Sequence, residues 1–196
     1  MSQNKNPKLL IIISSPSGAG KTSVCKKILE NNKGISISIS DTTRPARNNE
    51  VDGIDYNFIS SIEFDERIKK NLYIEYAKVF NNYYGSQKKN IIKLFNEGKD
   101  VLFDIDWQGA KQLRESNYSK ILSIFIVPPS KEAIYERLKF RTEKSGGNNQ
   151  DIENRMKQFE IEMSHKDEYD FIVMNDDFET CVKRIESIIL DERKKN

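Results

Sequence analysis

The sequence predicts an α/β domain in which a parallel β-sheet is covered by helices on both faces. Short apolar runs alternate with longer amphipathic segments, and the first apolar run leads through a Gly-rich loop into a helix. A chain of 196 residues suits a single domain that buries roughly 70% of its unfolded surface. The net charge of +2 gives no sign of binding to nucleic acid or a membrane surface, because both need clustered positive charge.

The predicted elements follow from residue composition and from apolar spacing. Buried strands are continuously apolar and rich in β-branched residues, and segments of this kind cover 8–14, 100–106, 120–129 and 171–177. Amphipathic spacing predicts helices over 21–32, 86–97, 107–115, 130–141, 151–167 and 178–193.

Two regions interrupt this alternation. Residues 35–40, ISISIS, place Ile and Ser on opposite faces of a strand, and 73–80 carry strand-forming residues of mixed polarity. We therefore expect an inserted β-rich lobe over about 35–87. The Gly/Asn-rich stretch around 143–151 has the composition of a mobile loop and predicts a lid over about 141–155. The core would then comprise 8–34, 88–140 and 156–196.

The termini and cysteines favour a cytoplasmic protein. MSQNKNPK at the start lacks the apolar centre of a signal peptide, and no apolar run approaches the roughly 20 residues that span a bilayer. Cys25 and Cys181 lie far apart without C-x-x-C spacing, which is typical of separate thiols in a reducing compartment.

Residues 14–23, SSPSGAGKTS, which we call the phosphate loop, match the Walker A pattern G-x-x-x-x-G-K-[ST] except that Ser15 replaces the first glycine. Gly18 and Gly20 can adopt positive φ and turn backbone N–H groups towards an anion. Lys21 suits the β- and γ-phosphates, and the Thr22 hydroxyl can ligate Mg²⁺. The alternative, a simple Gly/Ser linker, fits the strand–loop–helix context less well. We predict a P-loop NTPase fold that binds a nucleoside triphosphate through Ser15, Pro16, Ser17, Gly18, Ala19, Gly20, Lys21, Thr22 and Ser23.

Further polar residues lie downstream. Arg44 and Arg47 flank a Pro-containing turn, where guanidinium groups can bind phosphate in a bidentate manner or simply remain solvated. Asp104 and Asp106 follow a buried strand in a Walker B-like position beside the phosphate loop.

Seven motifs in order across residues 9–190 resemble the guanylate kinase family, which phosphorylates GMP to GDP with ATP: SPSGAGKTS, TTRPAR, EVDGIDYNF, EYAKVFNNYYGS, LFDIDWQGA, RLKFR and VMNDDFET. The resemblance implies a core, a GMP-binding lobe at the β-rich insertion and a lid at the Gly/Asn stretch. It also implies ATP and GMP as substrates and Mg²⁺ as cofactor. The use of dGMP and the formation of a homo-oligomer stay open.

The resemblance assigns residues to roles. Guanine would be recognised by Ser40, Glu75 and Ser86. The GMP phosphate would be held by Arg44, Arg47, Tyr56 and Tyr84. Asp106 would lie near the nucleoside, and Asp104, with Thr22, near the metal and its waters. The transferring phosphoryl group would meet Lys21, Arg44, Arg137, Arg141 and Arg155. Asn175 would lie by the ATP base.

The chemistry of guanine agrees with this assignment. Its N1–H and 2-amino groups can both donate to one carboxylate such as Glu75, whereas adenine presents an acceptor at N1, so a polar match of this kind can reject the wrong base. Two departures from the family pattern stand out. Arg141 and Arg155 are further apart than is usual, and Asp41 adds a negative charge that we expect to influence binding of the GMP phosphate.

Two other functions are consistent with parts of the sequence. A non-catalytic guanylate-kinase-like interaction domain typically lacks the phosphate-loop lysine, whereas Lys21 is present here. A P-loop kinase of another nucleotide or of a sugar phosphate would not need the set of Ser40, Glu75 and Ser86.

Overall fold

The computed structural model describes residues 8–48, 50–79, 81–116, 118, 120–144 and 149–195, without the side chains of 141, 143, 144, 149 and 151. The strands are Leu10–Ser14 (β1), Ile35–Ile37 (β2), Asp41–Thr42 (β3), Asn57–Phe58 (β4), Tyr73–Val79 (β5), Asn82–Gln87 (β6), Asp100–Asp104 (β7), Ile121–Val127 (β8) and Phe171–Met174 (β9). The helices are Lys21–Asn31 (α1), Ser61–Lys69 (α2), Lys88–Asn96 (α3), Trp107–Arg114 (α4), Lys131–Lys144 (α5), Asn149–Ser164 (α6) and Phe178–Lys194 (α7).

A five-stranded parallel sheet, in the order β2-β7-β1-β8-β9, forms the core and confirms the predicted fold class. Its central strand β1 is buried on both faces. Ile11 and Ile13 pack with residues of α1, α5, α6 and α7, whereas Leu10 and Ile12 pack with residues of α3 and α4. This two-sided burial explains why β1 is apolar at every position before Ser14. Within the described residues, no helix combines the length and apolarity needed to cross a bilayer.

A second sheet, in the order β4-β3-β6-β5, is inserted between α1 and α3. It is mixed: β3 pairs parallel with β4, and the remaining pairs are antiparallel. Helix α2 packs on it through Phe64, whose ring lies 4.6 Å from Tyr73 and 5.3 Å from Tyr83, centroid to centroid. Gly85 makes this packing possible, because a Cβ there would lie 3.0–3.1 Å from Tyr73 and Phe64.

The expectation that residues 35–40 belong to the inserted lobe was wrong for β2. Ile35–Ile37 pair with Asp100–Leu102 at the edge of the core sheet, and the second sheet begins only at Asp41. An alternating pattern indicates that one face of a strand is covered. It does not indicate which sheet provides the neighbouring strand.

Helices account for more of the chain than the sequence predicted. Helix α2 was not predicted, although its start carries a capping signal: the Ser60 side chain accepts a hydrogen bond from the Glu63 N–H at 3.1 Å. In the expected lid, α5 continues to Lys144 and α6 begins at Asn149, so most of the stretch 141–155 is helical. Residues 145–148 of that stretch lie outside the described residues.

Asp41 organises the second sheet from within. Its carboxylate is fully buried and accepts hydrogen bonds from Asn57 Nδ2, Gln87 Nε2 and Tyr73 OH, each at 2.8 Å, and it pairs with Arg67. These partners lie on β4, β6, β5 and α2. Asp41 therefore has a structural role inside the lobe, and its influence on the GMP phosphate stays a prediction.

Removing this carboxylate should destabilise the protein strongly. In Asp41→Ala the buried donors of Tyr73 and Gln87 lose their acceptor, and among the described residues Arg67 keeps only Glu63 as an ion-pair partner. We therefore expect the free energy of unfolding to fall by about 3–5 kcal/mol. Urea denaturation at pH 7 measures this change. The exposed Asp65 on the same lobe provides the control, since Asp65→Ala should cost less than about 0.5 kcal/mol. A loss below about 1 kcal/mol in Asp41→Ala would contradict the assignment.

Candidate active site

A cavity of about 560 Å³ lies between the phosphate loop and the second sheet. Most of the predicted site residues line it: Ser15, Pro16, Ser17, Gly18, Gly20, Lys21, Thr22, Ser23, Ser40, Arg47, Tyr56, Glu75, Tyr84, Asp104, Asp106 and Arg137. The lining residues come from two parts of the fold. The phosphate loop follows β1 in the core, and most of the other lining residues come from the second sheet, its loops and the end of β7.

The phosphate loop has the geometry of an anion site. Gly18 and Gly20 have φ of 89° and 94°, in the left-handed region that favours glycine. Gly20 precedes α1 without a side-chain cap, so the first backbone N–H groups of the helix have no capping acceptor. A helix start of this kind, facing a cavity, suits a phosphate group.

Lys21 and Thr22 both contact Asp104 at the end of β7. Lys21 forms an ion pair with Asp104 and donates to the Ile105 carbonyl at 3.2 Å, and the Thr22 hydroxyl donates to Asp104 Oδ2 at 3.1 Å. Burial opposes the charge of Lys21, but the attraction and the hydrogen bond of Asp104 outweigh it and hold the pKa of Lys21 above its usual value. Lys21 is therefore a cation at neutral pH.

The oxygens of Thr22 and Asp104 fit the ligand preference of Mg²⁺. A hydroxyl and a carboxylate beside a phosphate site are hard oxygen donors. The part of the chain that the structure describes holds no cluster of three or more metal-binding side chains. Mg²⁺ commonly takes one or two protein ligands and completes its shell with phosphates and water, so the oxygens of Thr22 and Asp104 fit it.

Asn175 supports the phosphate loop. It is buried, and its side-chain amide donates to the Ala19 carbonyl at 2.7 Å. A Cβ on Gly20 would lie 2.7 Å from the same amide nitrogen, so the glycine allows this close approach. The contact of Asn175 with the ATP base stays a prediction.

Glu75 presents an unsatisfied carboxylate to the cavity. Its side chain is almost completely buried, and Oε1 has no hydrogen-bond partner among the described residues. Ser86 lies opposite Glu75 in the β5–β6 ladder, and the hydroxyls of Ser86 and Ser40 are 3.2 Å apart. Burial raises the pKa of Glu75 to about 7. A buried acceptor without a partner indicates a ligand with N–H donors.

Arg44 is held by a residue that the sequence analysis missed. Its guanidinium donates to both carboxylate oxygens of Glu50, each at 2.6 Å, and lies over the Tyr56 ring at 4.9 Å. The hydrogen bond from Arg44 lowers the pKa of Glu50 to about 2. Arg44 is buried and is not among the cavity-lining residues, whereas the more exposed Arg47 lines the cavity. The sequence did contain a signal for this pair, because Glu50 lies only six residues after Arg44.

The remaining walls combine phenol groups and an acid. Tyr56 and Tyr84 pack edge to face with centroids 5.9 Å apart. Asp106 caps α4, where it accepts hydrogen bonds from the Gly109 N–H at 3.1 Å and from Gln108 Nε2 at 2.9 Å. All three residues line the cavity, and their contacts with GMP stay predictions.

Of the four arginines expected at the transferring phosphoryl group, Arg44 is described above, and Arg137 lies at the phosphate loop. Its guanidinium donates to the Gly18 carbonyl at 3.2 Å and lines the cavity. Arg155 is half-buried on α6 and is not among the lining residues. The side chain of Arg141 lies outside the described residues.

Glu162 on α6 is a second missed residue. Its buried carboxylate accepts a hydrogen bond from the Ser17 N–H at 2.8 Å and lines the cavity. Burial also raises the pKa of this acid. The contact joins residues 145 positions apart, so no local pattern could have indicated it. This hydrogen bond holds α6, whose first residues belong to the expected lid, against the phosphate loop.

Sequence comparison relates this chain to the guanylate kinase family. The sequence profile of the guanylate kinase family matches residues 7–192. The guanylate kinase of Rickettsia bellii is 48% identical over 97% of this chain and 98% of its own length. That of Idiomarina loihiensis is 45% identical over 95% of this chain and 88% of its own length.

A solved guanylate kinase structure also resembles this chain. The crystal structure of guanylate kinase from Anaplasma phagocytophilum superimposes with a TM-score of 0.77 at 35% sequence identity, over 96% of this chain and 87% of that chain. The match includes the α/β core and therefore supports the P-loop NTPase fold. With the full-length profile and both sequence relatives, it shows that the chain belongs to the guanylate kinase family, the ATP-dependent kinases that convert GMP to GDP.

Proposed function

We propose that this guanylate kinase transfers the γ-phosphoryl group of ATP directly to GMP, with the two nucleotides bound on opposite walls of one cavity. One observation carries the proposal: the cavity has the uncapped start of α1 on one wall and, on the other, the buried carboxylate of Glu75, whose Oε1 has no hydrogen-bond partner among the described residues. The first wall suits a polyphosphate and the second suits guanine.

ATP would bind through the backbone N–H groups of the phosphate loop and through Lys21. Lys21 would exchange its ion pair with Asp104 for phosphate oxygens, since it already lies in the cavity as a buried cation. Thr22 and Asp104 would hold Mg²⁺, which when bound neutralises charge on the phosphates. Asn175 would keep the loop in place through its hydrogen bond to Ala19.

GMP would bind on the second sheet. Glu75 would accept hydrogen bonds from guanine N1–H and the 2-amino group, and the hydroxyls of Ser40 and Ser86 would lie beside the base. Adenine would place a lone pair against the same carboxylate, so it should bind poorly. The GMP phosphate would meet Arg47 and Tyr84 at the cavity wall.

Direct transfer between two nucleotides needs alignment, charge neutralisation and exclusion of water. Arg137 contacts the phosphate loop and is therefore positioned to neutralise charge on the transferring phosphoryl group. Arg44, fixed by Glu50 and Tyr56, would add charge on the GMP side. We assign Arg141 and Arg155 to the same task, with closure of the lid over 141–155 bringing them to the reacting phosphates.

Replacing Lys21 should abolish most of the activity. In Lys21→Met the γ-phosphate loses its nearest cation, and we expect kcat to fall by about 10²–10³-fold or more. A coupled assay of ADP formation with GMP and Mg²⁺ measures it. The control is Lys27→Met on the same helix, since Lys27 pairs only with Glu30 at the surface among the described residues and should keep wild-type turnover. Wild-type turnover in Lys21→Met would contradict the proposal.

Glu75→Gln should lose guanine recognition. The amide keeps one acceptor but turns a donor towards the base, so we expect kcat/KM for GMP to fall by about 10²–10³-fold. The control is Glu66→Gln at an exposed position of α2, which should not change kinetics. The wild-type enzyme is assayed against GMP and AMP in parallel. Equal use of the two nucleotides would contradict the recognition by Glu75.

The ionisation of Glu75 predicts a pH dependence. Since its pKa is raised to about 7, the free enzyme loses the carboxylate as the pH falls through that value. The kinetic parameter kcat/KM for GMP, which reports on free enzyme, should then fall by about tenfold per pH unit. Titration of the GMP phosphate contributes equally to wild type and to Glu75→Gln, so the difference between the two profiles isolates Glu75. Parallel profiles between pH 5.5 and 8 would refute this assignment.

A further inference from the structure

We propose that Gly109 is a positioning residue for guanine recognition, because the carboxylate of Glu75 occupies the space that a side chain at position 109 would fill. The inference rests on the proposed role of Glu75. It concerns a residue that contributes no side chain to the cavity, and it explains how the recognising carboxylate is held.

The space around Gly109 is filled by Glu75. Gly109 is buried in the first turn of α4. A Cβ added there would lie well inside 3.0 Å of Glu75 Oε2, a separation that real Cβ atoms essentially never show, and 3.1 Å from Glu75 Cδ. On another side it would lie 3.4 Å from Ile105 Cδ1. A methyl group at this position therefore cannot coexist with the observed carboxylate.

Helix α4 has no freedom to retreat from the second sheet. The Gln112 side-chain amide forms two hydrogen bonds with the backbone of Tyr76. It accepts one from the Tyr76 N–H at 3.1 Å and donates one to the Tyr76 carbonyl at 2.7 Å. Gln108 donates to the Lys78 carbonyl at 3.3 Å. β5 is an edge strand, so these side chains satisfy backbone groups that have no neighbouring strand. They fix the distance between α4 and β5.

The first turn of α4 is also held by its own cap. The Gly109 N–H donates to Asp106 Oδ1 at 3.1 Å and completes the cap of the helix. The group that can move is the Glu75 carboxylate, since it is the end of a flexible side chain. A substitution at Gly109 should therefore displace this carboxylate and leave the fold intact.

Gly109→Ala separates this role from an ordinary structural one. Alanine is favoured over glycine in helices, so a purely structural glycine predicts an unchanged or raised Tm and unchanged kinetics. We expect the Tm to be unchanged or raised, but kcat/KM for GMP to fall by about 30- to 100-fold. The KM for ATP at saturating GMP should change by less than about twofold, because the phosphate loop is not touched. Preference for GMP over AMP should fall in parallel.

Gly34→Ala is the matched control. The nearest atom to an added Cβ there lies 3.8 Å away, on Arg193, and Gly34 is not among the residues with positive φ. This variant should keep wild-type stability and kinetics. If Gly34→Ala and Gly109→Ala have the same small effect on kcat/KM for GMP, the proposal is wrong.

A double-mutant cycle tests the mechanism itself. In a Glu75→Ala background there is no carboxylate to displace, so adding Gly109→Ala should cause no further loss of kcat/KM for GMP. If Gly109→Ala lowers kcat/KM for GMP by the same factor in the Glu75→Ala background as in the wild type, the proposal is wrong. Should Gly109→Ala lower the Tm, calorimetric titration of the folded protein with GMP replaces the kinetic readout, and the same non-additivity is required.

The outcomes distinguish this inference from the function on which it rests. If Glu75→Gln retains wild-type use of GMP, the assignment of guanine recognition to Glu75 fails, and the role of Gly109 fails with it. If Glu75→Gln loses GMP use while Gly109→Ala retains it, only the inference about Gly109 is wrong.

Discussion

The hydrogen bonds between Gln112 on α4 and the backbone of Tyr76 on β5 hold the second sheet against the core. Without them the edge strand β5 would have unpaired backbone groups, and Glu75 would lack its position beside the phosphate loop. This contact joins two sheets that do not share a strand, and the cavity lies between them. The phosphate loop and the wall formed by Ser40, Glu75 and Tyr84 open into the same space.

The electrostatics of the cavity depend on burial as much as on charge. Asp104 is compensated by Lys21, and Glu50 by Arg44, at ion-pair distance. Among the described residues, no cation lies at ion-pair distance from Glu75 or Glu162, and burial raises the pKa of both. Glu162 accepts the Ser17 N–H, whereas one oxygen of Glu75 has no partner among the described residues. The acid with the unpartnered oxygen is the one to which we assign recognition of guanine.

The sequence predicted those features that depend on neighbouring residues. Buried strands and the phosphate loop are local patterns, since apolar runs, glycines and a lysine at fixed spacing lie within a few residues of one another. Ser40, Glu75 and Asp106, which the motifs resembling guanylate kinase singled out, line one cavity, and their contacts with GMP stay predictions. Contacts between distant residues were missed, as with Glu162 and Ser17. The alternation of Ile and Ser likewise could not distinguish the core sheet from the inserted sheet, because both cover one face of the strand.

The claim that an ionised Glu75 accepts the guanine donors can be measured directly as a proton balance. Free Glu75 with a pKa of about 7 is about half protonated at pH 7, and donors from guanine favour the carboxylate. Calorimetric titration with GMP at pH 7, in buffers of different ionisation enthalpy, counts the protons released. The account predicts that the wild-type enzyme releases about half a proton more than Glu75→Gln. Equal proton release by the two proteins would contradict it.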